Sequence, residues 1–166
     1  MSTVEEREDR IKFLLSQNPG LLALEVFQSL RDGNDSTPYL RAVWMQLETD
    51  PDEDVQFLIG LLGNSFQETR DRALSLSVAQ FQVLSARAVR AAERIVITAD
   101  KIQSSFCDDL DYCKKRNHPV AAVAVDAAEI LGPFCGPGVS ETIAVLCIGV
   151  QILDGVCLCG FVAKKD

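Results

Sequence analysis

The side chains able to do covalent or acid–base chemistry are few and scattered in this chain. One histidine, His118, stands directly before Pro119, and no glycine-framed serine gives it a Ser-His or Cys-His nucleophile to activate. No Gly-x4-Gly-Lys-Ser/Thr phosphate loop occurs. The run Gly132-Pro133-Phe134-Cys135-Gly136-Pro137-Gly138 follows a helical pattern, so it reads as a hairpin turn and not as a dinucleotide loop. Asp108, Asp109 and Asp111 point around a helix and do not converge on a cation. With no acid–base set, the chain is expected not to be an enzyme, and no catalytic, cofactor or metal site is assigned.

The six cysteines, Cys107, Cys113, Cys135, Cys147, Cys157 and Cys159, all fall in the C-terminal part. On a helix, Cys157-x-Cys159 sets its two sulfurs about 200° apart, which suits no single metal. Cys107-x5-Cys113 is not a zinc spacing either. They are expected to be small buried thiols. That agrees with a charged N-terminus lacking a secretory core, which points to the reducing cytosol.

Charge is more informative. A formal net charge of −8 argues against nucleic acid as partner, because phosphate contacts need clustered Lys and Arg. One basic stripe exists: Arg87, Arg90, Arg94 and Lys101 recur at i, i+3, i+7 and i+14, on one side of a helix. An acidic cluster, Glu48, Asp50, Asp52, Glu53 and Asp54, surrounds Pro51. The two can pair within the molecule, each exposed pair contributing only about 0–1 kcal/mol, or they can dock a protein partner. Tyr39, Trp44 and Phe57 are aromatic anchor candidates, with the core as the other place for Trp44.

The elements that must position these groups are helices. Apolar residues make up 48% of the chain and charged residues 24%, a globular mix able to bury a core. Short helices are expected near 4–15, opened by Ser2 or Thr3 and stopped by Asn18-Pro19-Gly20; at 21–31, ending at Gly33; after Thr37-Pro38; and after Asp50-Pro51. Residues 65–118 contain neither glycine nor proline. An apolar seam through Leu74, Val78, Phe81, Ala88, Ala92, Ile95, Ala99, Ile102, Phe106 and Cys113 predicts one long helix from a Ser65/Glu68 capping box. Ser75–Ser77 and Ser104–Ser105 are the two places where it could break.

Residues 119–163 hold no Lys or Arg, and Asp126, Glu129, Glu141 and Asp154 are their sole formal charges. They read as an apolar helical hairpin, 120–131 and a final helix capped by Ser140. Its span 143–163 would be about 31 Å long, enough to cross a bilayer, although Gln151 and Asp154 lie within it.

The expected fold is therefore all-α. A short-helix cap (1–64) joins a long central helix and apolar hairpin (65–166), with the seam facing Ala121, Ala124, Ala127 and Ala128. The expected function is a non-enzymatic interaction or assembly protein with a protein partner, self or other. Its association should respond to salt and to charge at Arg87, Arg90 and Arg94. The alternative is a cytoplasmic protein that inserts into or is anchored to membranes through the apolar hairpin 119–163, 143–163 being the segment that meets the bilayer, with Asp126, Glu129, Gln151 and Asp154 as the polar groups to be accommodated.

Overall fold

In the computed structural model, which describes residues 4–33 and 37–162, the chain is all-α, with no strand among the described residues. The helices are α1 (Val4–Leu15), α2 (Pro19–Asp32), α3 (Pro38–Glu48), α4 (Glu53–Gly60), α5 (Phe66–Leu74) and α6 (Val78–Thr98). There follow α7 (Asp100–Ser104), a π-helical turn (Ser105–Asp109), α8 (Tyr112–Lys115), α9 (Val120–Cys135), α10 (Pro137–Gly149), α11 (Leu153–Val156) and α12 (Cys159–Val162).

The spine is α2, not the long helix. It buries Leu21, Leu22, Ala23, Leu24, Val26, Phe27 and Leu30, leaving only the stripe of Glu25, Ser29 and Asp32 toward water. Helices α3, α4, α5, α6 and α10 pack around it. Asn18-Pro19 starts this helix as well as ending the turn after α1: the Asn18 side chain accepts from the Gly20 N–H, and Pro19 sits where a missing N–H is harmless. A Cβ at Gly20 would lie 3.3 Å from Leu84 Cγ and 3.5 Å from Ser85 Oγ, so glycine permits the close approach of α2 to α6. Ser85, which interrupts the apolar seam, donates to the Asn18 side-chain Oδ1 at 3.2 Å.

The expected long helix is divided. Ser75 closes α5 by donating to the Arg72 carbonyl, and Ser77 opens α6 with a reciprocal capping box to Gln80. Ala99 leaves helical geometry, and Asp111 (φ 57°) is left-handed. The seam also has different partners. Ala88, Ala91, Ala92, Ile95 and Val96 are buried on α6, which packs chiefly on α2 and α4, whereas α9 packs on α10 and α1. Of the caps, Thr37 serves α3 and Ser65 serves α5, with Glu68 reaching the Asn64 N–H. Asp52, not Asp50, caps α4. The opening at Ser2 or Thr3 lies outside the described residues.

The C-terminal region departs most from expectation. Helix α9 runs through Gly132 and Pro133 to Cys135, and Gly136 (φ 82°) makes the turn. Ser140 is buried within α10 and does not cap it. The span 143–163 is not one helix, because Gln151 (φ 60°) and Leu158 (φ 54°) are left-handed and break it twice. Among the described residues no helix is long and apolar enough to cross a membrane. Residues Ile143 through Ile148 are buried on every side, so α10 is a core helix beside α2.

Four cysteines are paired, contrary to the expectation of six thiols. Cys107 bonds Cys157 and Cys113 bonds Cys159, with Cα separations of 5.1 and 5.0 Å. The helical-angle argument does not apply, because Leu158 between the two cysteines is left-handed and each sulfur reaches a different partner. Cys135 and Cys147 are free and buried, and burial pushes the Cys135 thiol up to about 12 and Cys147 upward as well.

Ala92 is fully buried. Ala92→Leu is expected to overpack its contact and to cost roughly 1–3 kcal/mol. A thermal melt indistinguishable from the parent would show that the seam meets no tight neighbour there. Peptide mapping without reductant should recover the Cys107–Cys157 and Cys113–Cys159 links, while Cys135 and Cys147 resist alkylation until the chain is unfolded.

Candidate functional site

Where α4 meets α6, the acidic cluster and the basic stripe come together. The Asp52 carboxylate accepts from the Asp54 and Val55 N–H groups at 3.0 Å, which fixes the first turn of α4 and turns Asp54 toward α6. Arg87, Arg90 and Arg94 share one face of α6, as their spacing requires. Arg90 Nε donates to Asp54 at 2.9 Å, and Arg87 Nε lies 3.7 Å from the same carboxylate. Arg94 Nε donates to Asp50 Oδ2 at 2.7 Å, with its Nη2 3.4 Å from Oδ1.

Asp50 also accepts from the Asp52 N–H at 2.9 Å. The hydrogen bond from Arg94 holds its carboxyl below the ordinary value of 3.8, outweighing the opposing effect of burial. The bond to Asp50 raises Arg94, and the bond to Asp54 raises Arg90. The fourth member of the stripe is elsewhere: Lys101, in α7, holds its Nζ 5.3 Å over the ring of Tyr39. Trp44 lies in the core, 8% exposed.

The same face carries an apolar groove that sequence patterning missed. Phe57 from α4 and Leu61 just after it, Leu76 from the α5–α6 connection, and Ala79, Gln80 and Val83 from α6 line a hollow of about 300 Å³. At one end, the Arg87 guanidinium lies 4.4 Å over the Phe57 ring. Val83, in its wall, stands 51% exposed, and Leu74 and Val78, on either side of the α5–α6 connection, are 54% and 78% exposed. A continuous helix would place Leu74 and Val78 on the buried seam. The break at Ser75–Ser77 turns them out.

The carboxylates of the cation-free region each find a base from outside it. Asp126 lies 3.9 Å from Lys115, Glu129 3.3 Å from Arg7, Glu141 3.3 Å from Arg10 and Asp154 3.6 Å from Arg116. Gln151 is exposed at the left-handed turn after α10. Beside it, Tyr112, Arg116, Asn117, His118, Val120, Val123, Ile148, Gln151 and Asp154 line a cleft of about 270 Å³. Tyr112 is buried, and that burial, with the Asp154 carboxylate beside it, pushes its phenol up to about 12. No group of His, Cys, Asp and Glu suited to a metal occurs among the described residues.

Comparison with protein-family models, curated proteins and solved structures finds no match to this chain.

The Asp50–Arg94 pair has a definite pH signature. Because the folded carboxyl titrates below its unfolded value, the pair's contribution is complete above about pH 4 and is lost as pH falls through the folded value. Arg94→Ala should lower stability by about 1 kcal/mol at neutral pH, screening by water keeping the loss small. Urea unfolding of parent and variant should converge once the carboxyl is protonated. An equal gap at neutral and strongly acid pH would show that the loss is packing alone.

Proposed function

We propose that this chain is a non-enzymatic helical interaction protein that pairs with a second copy of itself through the α4–α6 groove. The observation that carries this reading is the apolar groove lined by Phe57, Leu61, Leu76, Ala79 and half-exposed Val83. Contiguous exposed apolar surface with a polar rim favours a docking role, since scattered single apolar residues need no partner.

The choice of a second copy rests on self-complementarity. The face holds a hollow lined by Phe57 and Leu61 and, in its wall, the half-exposed side chain of Val83. It also holds both signs of charge, with Arg90 59% exposed and Glu53 exposed in the neighbouring helix. A two-fold arrangement lets Val83 of one copy enter the hollow of the other. Arg87, Arg90 and Arg94 then act as the rim and as the clamp between α4 and α6. Trp44 supports the fold beneath. Nucleic acid is a poor partner for this face, because its guanidinium groups are already engaged by Asp50 and Asp54.

This moves the expected driving force from charge to apolar contact. Light scattering over a range of concentrations should show dimers that dissociate on dilution. High salt should leave them intact, since the rim charges are satisfied within each copy. Val83→Glu should leave the thermal melt unchanged and keep the protein monomeric. A mass that stays monomeric at every concentration, or a Val83→Glu variant that dimerises like the parent, refutes the reading.

A further inference from the structure

We propose that the cleft between α8, the start of α9 and the α10–α11 turn binds a small carboxylate carrying a short apolar body. This site is separate from the α4–α6 groove and does not depend on the dimer.

Three observations converge on that ligand class. The first is the balance of donors and acceptors. Arg116, Asn117, His118 and Gln151 all bear N–H donors on the cleft wall, against one carboxylate, Asp154. Arg116 Nη1 stands 3.6 Å from Asp154 Oδ2, beyond hydrogen-bond length, and its guanidinium donates to no described residue. Asp154 also faces the Tyr112 phenol. The wall therefore has surplus donors, with a guanidinium suited to two-point recognition of a carboxylate. The second is the floor. Val120, 44% exposed, adjoins the buried Val123 and Ile148 there, so an apolar body would displace water from a surface that cannot hydrogen-bond it. A bare phosphate would leave that floor uncovered. The third is size: about 270 Å³ is just below the roughly 300–1,000 Å³ that accommodates drug-sized ligands, which suits a small molecule.

The walls are also held in place. Cys113, next to Tyr112, is bonded to Cys159, and Cys107 is bonded to Cys157, three residues beyond Asp154. The two bridges join the segment bearing Tyr112 and Arg116 to the segment bearing Gln151 and Asp154. Gln151 keeps its amide there in a left-handed conformation that glycine would occupy with less strain.

The test is a titration of the intact, oxidised chain followed by amide chemical shifts, with three probes: isovalerate, isoamyl alcohol and inorganic phosphate. Isovalerate should give saturable shifts at Arg116, Asn117, His118, Val120 and Gln151, and should bind at least tenfold more tightly than either other probe. Arg116→Gln should weaken it tenfold or more. Gln151→Gly should raise the melting temperature and weaken binding, a combination that a purely structural residue would not produce. The proposal fails if the alcohol or phosphate matches isovalerate, if no probe gives saturable shifts, or if both variants bind as the parent does.

Discussion

Two helices in this chain are apolar around most or all of their circumference, and the rest of the fold follows from covering them. Full burial of a Leu or Phe side chain contributes about 1.5–3 kcal/mol, and α2 commits Leu22, Leu24, Val26, Phe27 and Leu30 to it, leaving only the stripe of Glu25, Ser29 and Asp32 toward water. Helix α10 does the same through Ile143–Ile148. A single neighbour covers about one face, so each core helix needs several. This is why α3, α4, α5 and α6 surround α2, and why α10 lies between α2 and the pair α1 and α9. A helix apolar all round belongs either in a protein core or in a bilayer. Here the core is large enough to take both.

Covering α10 brings an electrostatic demand with it. Glu141 is 2% exposed on that helix, and residues 119–163 contain no cation to neutralise it. Arg7 and Arg10 of α1 supply the charge, at 4.0 and 3.3 Å. Glu141 Oε2 and Arg7 Nε nevertheless have no hydrogen bond. Desolvation therefore offsets most of the attraction, and the cluster adds little net stability. Its consequence is positional: α1 is the element that must lie over Glu141. The same logic recurs at the other end, where Lys115 and Arg116 answer Asp126 and Asp154 and the two disulfides tie the segments carrying them.

Local chemistry was legible where one residue decides the outcome. Thr37-Pro38, Ser65 and Gly33 set helix ends by capping and by left-handed backbone, and all three act as their types require. Periodicity was less reliable. The 65–118 seam kept its three- and four-residue rhythm across Ser75–Ser77 and Ala99, because consecutive helices packed on one core bury residues at the same spacing. Only the cap at Ser77 distinguishes a break from a continuation. The disulfides were hidden for another reason: pairing depends on backbone turns at Asp111, Gln151 and Leu158, and non-glycine residues in left-handed geometry leave no compositional mark.

The candidate sites were legible in charge and obscure in shape. The stripe Arg87, Arg90, Arg94 and the acids Asp50 and Asp54 could be read as complementary, and they meet. Their meeting reduces their value as a docking surface, because a guanidinium already bonded to a carboxylate gains little from a second one. What remains unsatisfied on that face is apolar, and it exists because the chain breaks after Leu74 and restarts at Val78. The cleft at Arg116 is the converse case. It retains hydrogen-bond donors because Asp154 stands too far from the guanidinium to take them up. On both faces, the groups left over after the fold has satisfied itself are the ones with free energy available for a partner.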